Sequence, residues 1–115
     1  MTLTREQVLD MGAGHKLDSE IAVGVFRWDR ERVENAMDAW LNGVCGAETI
    51  PYYSTDIDAA WKVLEKLQGE WSWEMKMNNA AKEVELRIGK GWATSTNVPL
   101  AICRAALLTT IGEGT

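Results

Sequence analysis

The residue types that could carry chemistry are few and scattered. The single histidine, His15, stands between Gly14 and Lys16, with no serine and carboxylate patterned around it as a triad, and reads as an exposed loop residue. Carboxylates come in pairs at Asp56/Asp58 and Glu83/Glu85. The first pair suits the positive end of a helix dipole, and the second falls on one face of a strand turned to water. Neither has the form of an acid/base couple. Phosphate-binding glycine loops, dinucleotide fingerprints and nucleophile elbows are missing, so catalysis is not expected. Cys45 and Cys103 are the two cysteines. They form no CxxC pair, so a structural zinc site is not expected, and each reads as a small buried apolar group in a reducing compartment.

Two features ask for more. The chain has six tryptophans against one Phe and two Tyr. Trp61, Trp71 and Trp73 lie on apolar stripes that should be buried. Trp28, Trp40 and Trp92 lie at segment edges, where an indole either packs or offers a stacking platform to a planar base. The second feature is the hydroxyl-rich turn Thr94-Ser95-Thr96-Asn97 at the start of the last helix. It is either a plain helix cap or an anion site built on unpaired N–H groups. Arg104, alone among apolar residues of that helix, needs a carboxylate, a phosphate or solvent. The candidate ligand-binding set is therefore Arg104, Thr94, Ser95, Thr96, Asn97, Trp92 and Trp28. Catalytic residues, metal ligands and cofactors are not expected.

These residues must be positioned by short elements. Thr4 and Gln7 have the spacing of a capping box, opening a helix through Val8, Leu9 and Met11 that ends at Gly12 and Gly14. Leu17, Ile21 and Val25 carry a second helix to about Phe26. The stretch 28–50 reads as a short helix or extended piece entering a turn at Asn42-Gly43, where Gly43 could equally end a helix. Beyond Pro51, an N-cap at Ser54 or Thr55 leads to the stripe Ile57, Ala60, Trp61, Leu64 and Leu67, ending at Gly69. Trp71, Trp73, Met75 and Met77 alternate with polar residues, as do Val84, Leu86 and Ile88, and a third strand runs from Trp92 to Thr94 or Ser95. A last helix over 98–111 has Pro99 in its first turn. It is apolar almost all round, so it should lie between the sheet and either the other helices or a second protomer.

The expected class is α+β: a three-stranded antiparallel meander packed with helices, in the order αα(α)-α-βββ-α, as one domain over 1–115. At 115 residues, 46% hydrophobic and 25% charged, the chain is of ordinary globular composition. Its formal charge of −5 argues against duplex nucleic acid and anionic membranes as partners. The N-terminus has no apolar segment behind a basic flank, and no stretch approaches the ~20 apolar residues of a membrane span.

The segments PYYSTDIDAAWKVLEKL (51–67), VPLAICRAALL (98–108) and LDSEIAV (17–23), with a Trp-containing hairpin between the first two, resemble the phage ABA-sandwich domain proteins. That resemblance implies helices against a sheet and a phage-encoded protein in the host cytoplasm. The chain is also similar, more loosely, to phage anti-defence sponge proteins, small oligomers that bind cyclic nucleotide immune signals without cleaving them. It implies a homo-oligomer sequestering a small nucleotide, with Arg104 and the turn before its helix as the matching elements. A phage accessory module that docks a protein partner is the alternative.

Overall fold

Thr4 opens the first helix through a complete capping box: its hydroxyl accepts the Gln7 N–H, and the Gln7 amide accepts the Thr4 N–H. In the computed structural model, which describes residues 4–46, 48–80, 82–89 and 91–110, the elements follow in the expected order. They are α1 (Arg5–Asp10), α2 (His15–Gly24), α3 (Arg30–Leu41), α4 (Ile57–Leu67), β1 (Trp73–Asn78), β2 (Glu83–Ile88), β3 (Gly91–Ser95) and α5 (Val98–Thr110). The fold is α+β, with five helices among the described residues and an antiparallel sheet ordered β1-β2-β3. The expected end of the last helix at Ile111 lies outside the described residues.

The stretch 28–50 holds a full helix of 12 residues rather than a short or extended piece. Val33 and Ala36, three apart, are its buried residues, and Asn42-Gly43 closes the helix instead of reversing a hairpin, with Gly43 at φ +66°. The Val44 N–H reaches back to the Ala39 carbonyl at 2.9 Å, the kind of bond that ends helices on a left-handed glycine.

The stripe read on α4 is only partly the buried one. Ala60, Leu64 and Leu67 are buried as expected, joined by Ala59 and Val63, whereas Ile57 and Trp61 remain 49% and 46% exposed. An apolar arc wider than the contact it makes leaves its flank in water.

In the sheet, Trp73 pairs with Ile88, Met75 with Leu86 and Met77 with Val84, while Leu86 pairs with Ala93 and Ile88 with Gly91. Alternation puts these residues on one face and Glu74, Lys76, Glu85, Arg87, Trp92 and Thr94 on the other. α5 covers the first face over β2 and β3, and α1, α2 and α4 pack on α5 in turn. The last helix is thus enclosed by its own chain, with Ala101–Cys103 and Ala105–Thr109 all buried. Contact between β3 and α5 is backbone-close: a Cβ on Gly91 would meet the Ala105 carbonyl oxygen at 2.5 Å. Cys103 belongs to this core as expected, but Cys45 is exposed, because it falls in the segment after α3 rather than on a packed face.

Candidate functional site

Arg104 is part-buried on α5 and is held by a backbone carbonyl. Its Nε and Nη2 donate to the backbone carbonyl of Met11 at 3.2 and 2.9 Å. Met11 is the C-cap of α1, where a carbonyl without an intrahelical donor is a natural acceptor for a cation. Among the described residues, the ion pairs involve Arg30, Arg32, Lys76 and Arg87, not Arg104.

The other expected site residues separate. Ser95 accepts the Asn97 N–H at 3.0 Å, and Asn97 accepts the Leu100 N–H at 3.3 Å, so both serve the start of α5. Thr96 is exposed between them. Trp92 and Thr94 lie on the uncovered face of the sheet, opposite Arg87 and Glu85, and Trp92 is 43% exposed. Trp28 packs against the core at the α2–α3 corner. Its ring carries the Arg32 guanidinium 3.8 Å from the centroid, and Arg32 is in turn held by both oxygens of Glu48 at 2.8 and 2.5 Å. The expected set is therefore divided among the open sheet face (Trp92 and Thr94), the start of α5 (Ser95 and Asn97), the α2–α3 corner (Trp28) and the Met11 carbonyl (Arg104).

A different constellation is assembled at the α1–α2 corner. A cleft of about 570 Å³ is lined by Gln7, Asp10 and residues 11–16. Arg104 holds its Met11 edge. Gly14 is the N-cap of α2 and offers no side chain, so the first turn of a ten-residue helix presents N–H groups beside Lys16. His15 is not a loop residue: it begins α2, with its ring 3.9 Å from that of Trp40 and 5.5 Å from that of Tyr52. Trp40 and Tyr52 are 45% and 49% exposed.

The far side of this corner is fixed by a buried carboxylate. Asp18, 1% exposed, accepts the Ser54 N–H at 2.8 Å and the Ser54 hydroxyl at 2.7 Å through Oδ1, and Ser54 Oγ accepts the Gly14 N–H at 2.9 Å. Oδ2 has no partner among the described residues. Burial pushes the Asp18 pKa above the ordinary carboxylate value, against the lowering effect of the two Ser54 bonds and of His15. Burial, with the Asp18 charge adding, also pushes the Tyr53 hydroxyl up to about 12 and raises the Cys103 thiol, which leaves Cys103 an inert packing group.

The sequence signals for this corner were Gly12-Ala13-Gly14 between two helices and one aspartate among the apolar residues Leu17, Ile21 and Ala22. Locally the first reads as helix punctuation alone, and nothing beside the second points to its partner Ser54, 36 positions away. Among the described residues, no group of three or more His, Cys, Asp or Glu could hold a metal ion, and no helix is long and apolar enough to cross a membrane.

Comparison with known proteins agrees with this architecture. The family model for the phage ABA sandwich domain matches residues 19–107, from within α2 to near the end of α5. A solved structure of a phage protein from Bacillus cereus ATCC 14579 is similar, with a TM-score of 0.58 and 21% identity, covering 85% of this chain and 92% of that one. Likeness at that identity speaks for the fold. Among curated proteins no match is found.

Proposed function

The chain belongs to the phage ABA sandwich domain family, and we propose that it is a non-catalytic binding protein that sequesters a small nucleotide at the α1–α2 corner. One observation carries this reading. The only charged side chain of α5 among the described residues is turned onto the Met11 carbonyl, at the rim of the cleft that opens on the uncapped start of α2. A phosphate there would receive backbone N–H groups and the Lys16 ammonium, while Trp40 and Tyr52 beside His15 offer ring faces to a base. An acidic protein binds an anion in this way because the positive potential is local.

In this proposal Arg104 is a positioning residue that shapes the cleft. The turn at Thr94–Asn97, with Trp92 on the open sheet face, is a secondary candidate, since Ser95 and Asn97 already serve the helix cap. Holding a cyclic nucleotide immune signal in the host cytoplasm, as an anti-defence protein would, requires tight binding and no turnover.

The test is equilibrium binding to a panel of mononucleotides and cyclic di- and trinucleotides, followed by heat denaturation and chemical analysis of the released ligand. Saturable binding that Lys16→Ala weakens, with the ligand recovered unchanged, supports the reading. Recovery of degradation products points to an enzyme. No binding across the panel leaves the accessory-module reading, which the exposed apolar residues Ile57, Trp61 and Met77 favour.

A further inference from the structure

We propose that the outer edge of β1, which pairs with no further strand among the described residues, is the docking surface for a second copy of this chain, joining two three-stranded sheets into one about a twofold axis. This does not depend on the nucleotide reading. It starts from an imbalance between the two sheet edges. At the β3 edge, Gly91 and Ala93 are buried beneath α5. At the β1 edge, the same face carries Trp73 and Met75 only partly buried and Met77 61% exposed. The apolar strip widens onto α4, where half-exposed Trp61 meets Trp73 edge-on, ring centroids 5.7 Å apart, with Ile57 one turn away. An edge strand with an apolar, incompletely covered face is a template for pairing.

The backbone is turned the right way for it. The Ser72 carbonyl accepts the Gly89 N–H at 3.0 Å, so in an antiparallel ladder the even-numbered residues of β1 direct their backbone groups at β2. Trp73, Met75 and Met77 then direct their N–H and C=O groups outward. Antiparallel pairing with a second β1 must match these outward residues with one another, which leaves a short set of registers.

Charge selects among them. With Met75 opposite its own counterpart, Trp73 faces the second copy's residue 77, and Glu74 faces the second copy's residue 76, a lysine, twice by symmetry. Sliding by one allowed step in one direction sets Glu74 against Glu74; in the other it sets Lys76 against Lys76. Both are disfavoured, since like charges directly opposite destabilise a strand pair. The centred register also extends a pattern already in the fold, where Glu74 lies opposite Arg87 and Lys76 opposite Glu85. Across the joined sheet one row reads Arg87, Glu74, lysine, glutamate, alternating in sign. On the other face the partly covered Trp73, Met75 and Met77 gain apolar neighbours.

The experiment is sedimentation equilibrium on the wild-type chain, on Glu74→Lys and Lys76→Glu separately, and on their equimolar mixture. A wild-type dimer is expected, each single variant raising the dissociation constant on the order of tenfold or more. Mixing should restore tight pairing as a heterodimer. The Glu74→Lys chain carries positive charge at both positions and the Lys76→Glu chain negative charge at both, so every facing pair between the two chains is then of opposite sign. Hydrogen exchange accompanies it: amides of Trp73, Met75 and Met77 should be protected in the dimer and fast in the single variants, while the Leu86 amide stays protected throughout and reports an intact fold. A wild-type chain that stays monomeric, a dimer indifferent to both substitutions, or variants that fail to rescue one another overturns the proposal.

Discussion

Ser54 gives Asp18 both of its donors: backbone N–H and hydroxyl converge on a single carboxylate oxygen at 2.8 and 2.7 Å, across 36 positions of chain. The same hydroxyl oxygen accepts the Gly14 N–H. One serine thereby ties the loop before α4 to both the start and the first turn of α2. The rim of the cleft rests on a buried carboxylate with one oxygen unpartnered among the described residues.

Asp18 gives the stability of the protein a definite pH dependence. Its pKa is raised in the folded state, so on raising the pH the unfolded chain releases this proton first. The contribution of Asp18 to stability is therefore fully present below the ordinary carboxylate pKa and is lost as pH rises through the elevated folded value. Denaturant titrations across that window should show this fall in the wild type and not in Asp18→Asn. Ser54→Ala, which removes one of the two donors to a buried acceptor, should cost about 1–3 kcal/mol.

A second expectation concerns the join between β2, β3 and α5. The Thr109 hydroxyl donates to the Ile88 carbonyl and accepts the Gly91 N–H, serving both strands at their closing turn. Thr109→Val keeps the shape but removes both of these bonds and should cost about 1–3 kcal/mol, whereas Thr109→Ser should be mild. Gly91→Ala forces a methyl onto the Ala105 carbonyl and should destabilise by about 1–3 kcal/mol. Thermal and denaturant unfolding measure both.

Arg104→Ala leaves the Met11 carbonyl without its donors and should lower stability by about 1–3 kcal/mol. Nucleotide binding should weaken with it, through the shape of the cleft. Lys16→Ala, by contrast, should weaken binding and leave the unfolding midpoint nearly unchanged. Comparing the two variants in binding and in denaturation separates the positioning role from the contact.

On α4, Leu64→Ala should cost about 2–5 kcal/mol, as for a leucine truncated in a packed core, since Leu64 is 1% exposed. Ile57→Ala should cost far less, because half of that side chain already lies in water. Chemical denaturation of the two variants distinguishes the buried arc of the helix from its flank.

Much of this fold was legible one element at a time. Thr4 with Gln7, the alternation from Trp71 to Met77 and from Val84 to Ile88, and Pro99 in the first turn of α5 are local signals, and the elements follow them, with β1 beginning at Trp73 rather than Trp71. Asn42-Gly43 leaves two readings open, because the same dipeptide makes a tight turn or ends a helix, and packing of Val33 and Ala36 decides between them. Trp61 misled because periodicity marks an apolar arc without saying how much of it a neighbour will cover. The surroundings of the candidate site residues were hardest to read. Arg104 and Met11 are 93 positions apart, and nothing local to an arginine tells which distant carbonyl will reach it.

By itself the chain's pattern of caps, periods and turns determined the α+β class, the order of its helices and strands, and which face of the sheet is apolar. These follow from bonds and side-chain spacings within a few residues. Tertiary structure alone decided that α5 is enclosed by its own chain, that Arg104 meets a backbone carbonyl, that His15 joins Trp40 and Tyr52, and that Asp18 is buried against Ser54. Such contacts join residues far apart in the chain, and their geometry exists only once the helices have packed.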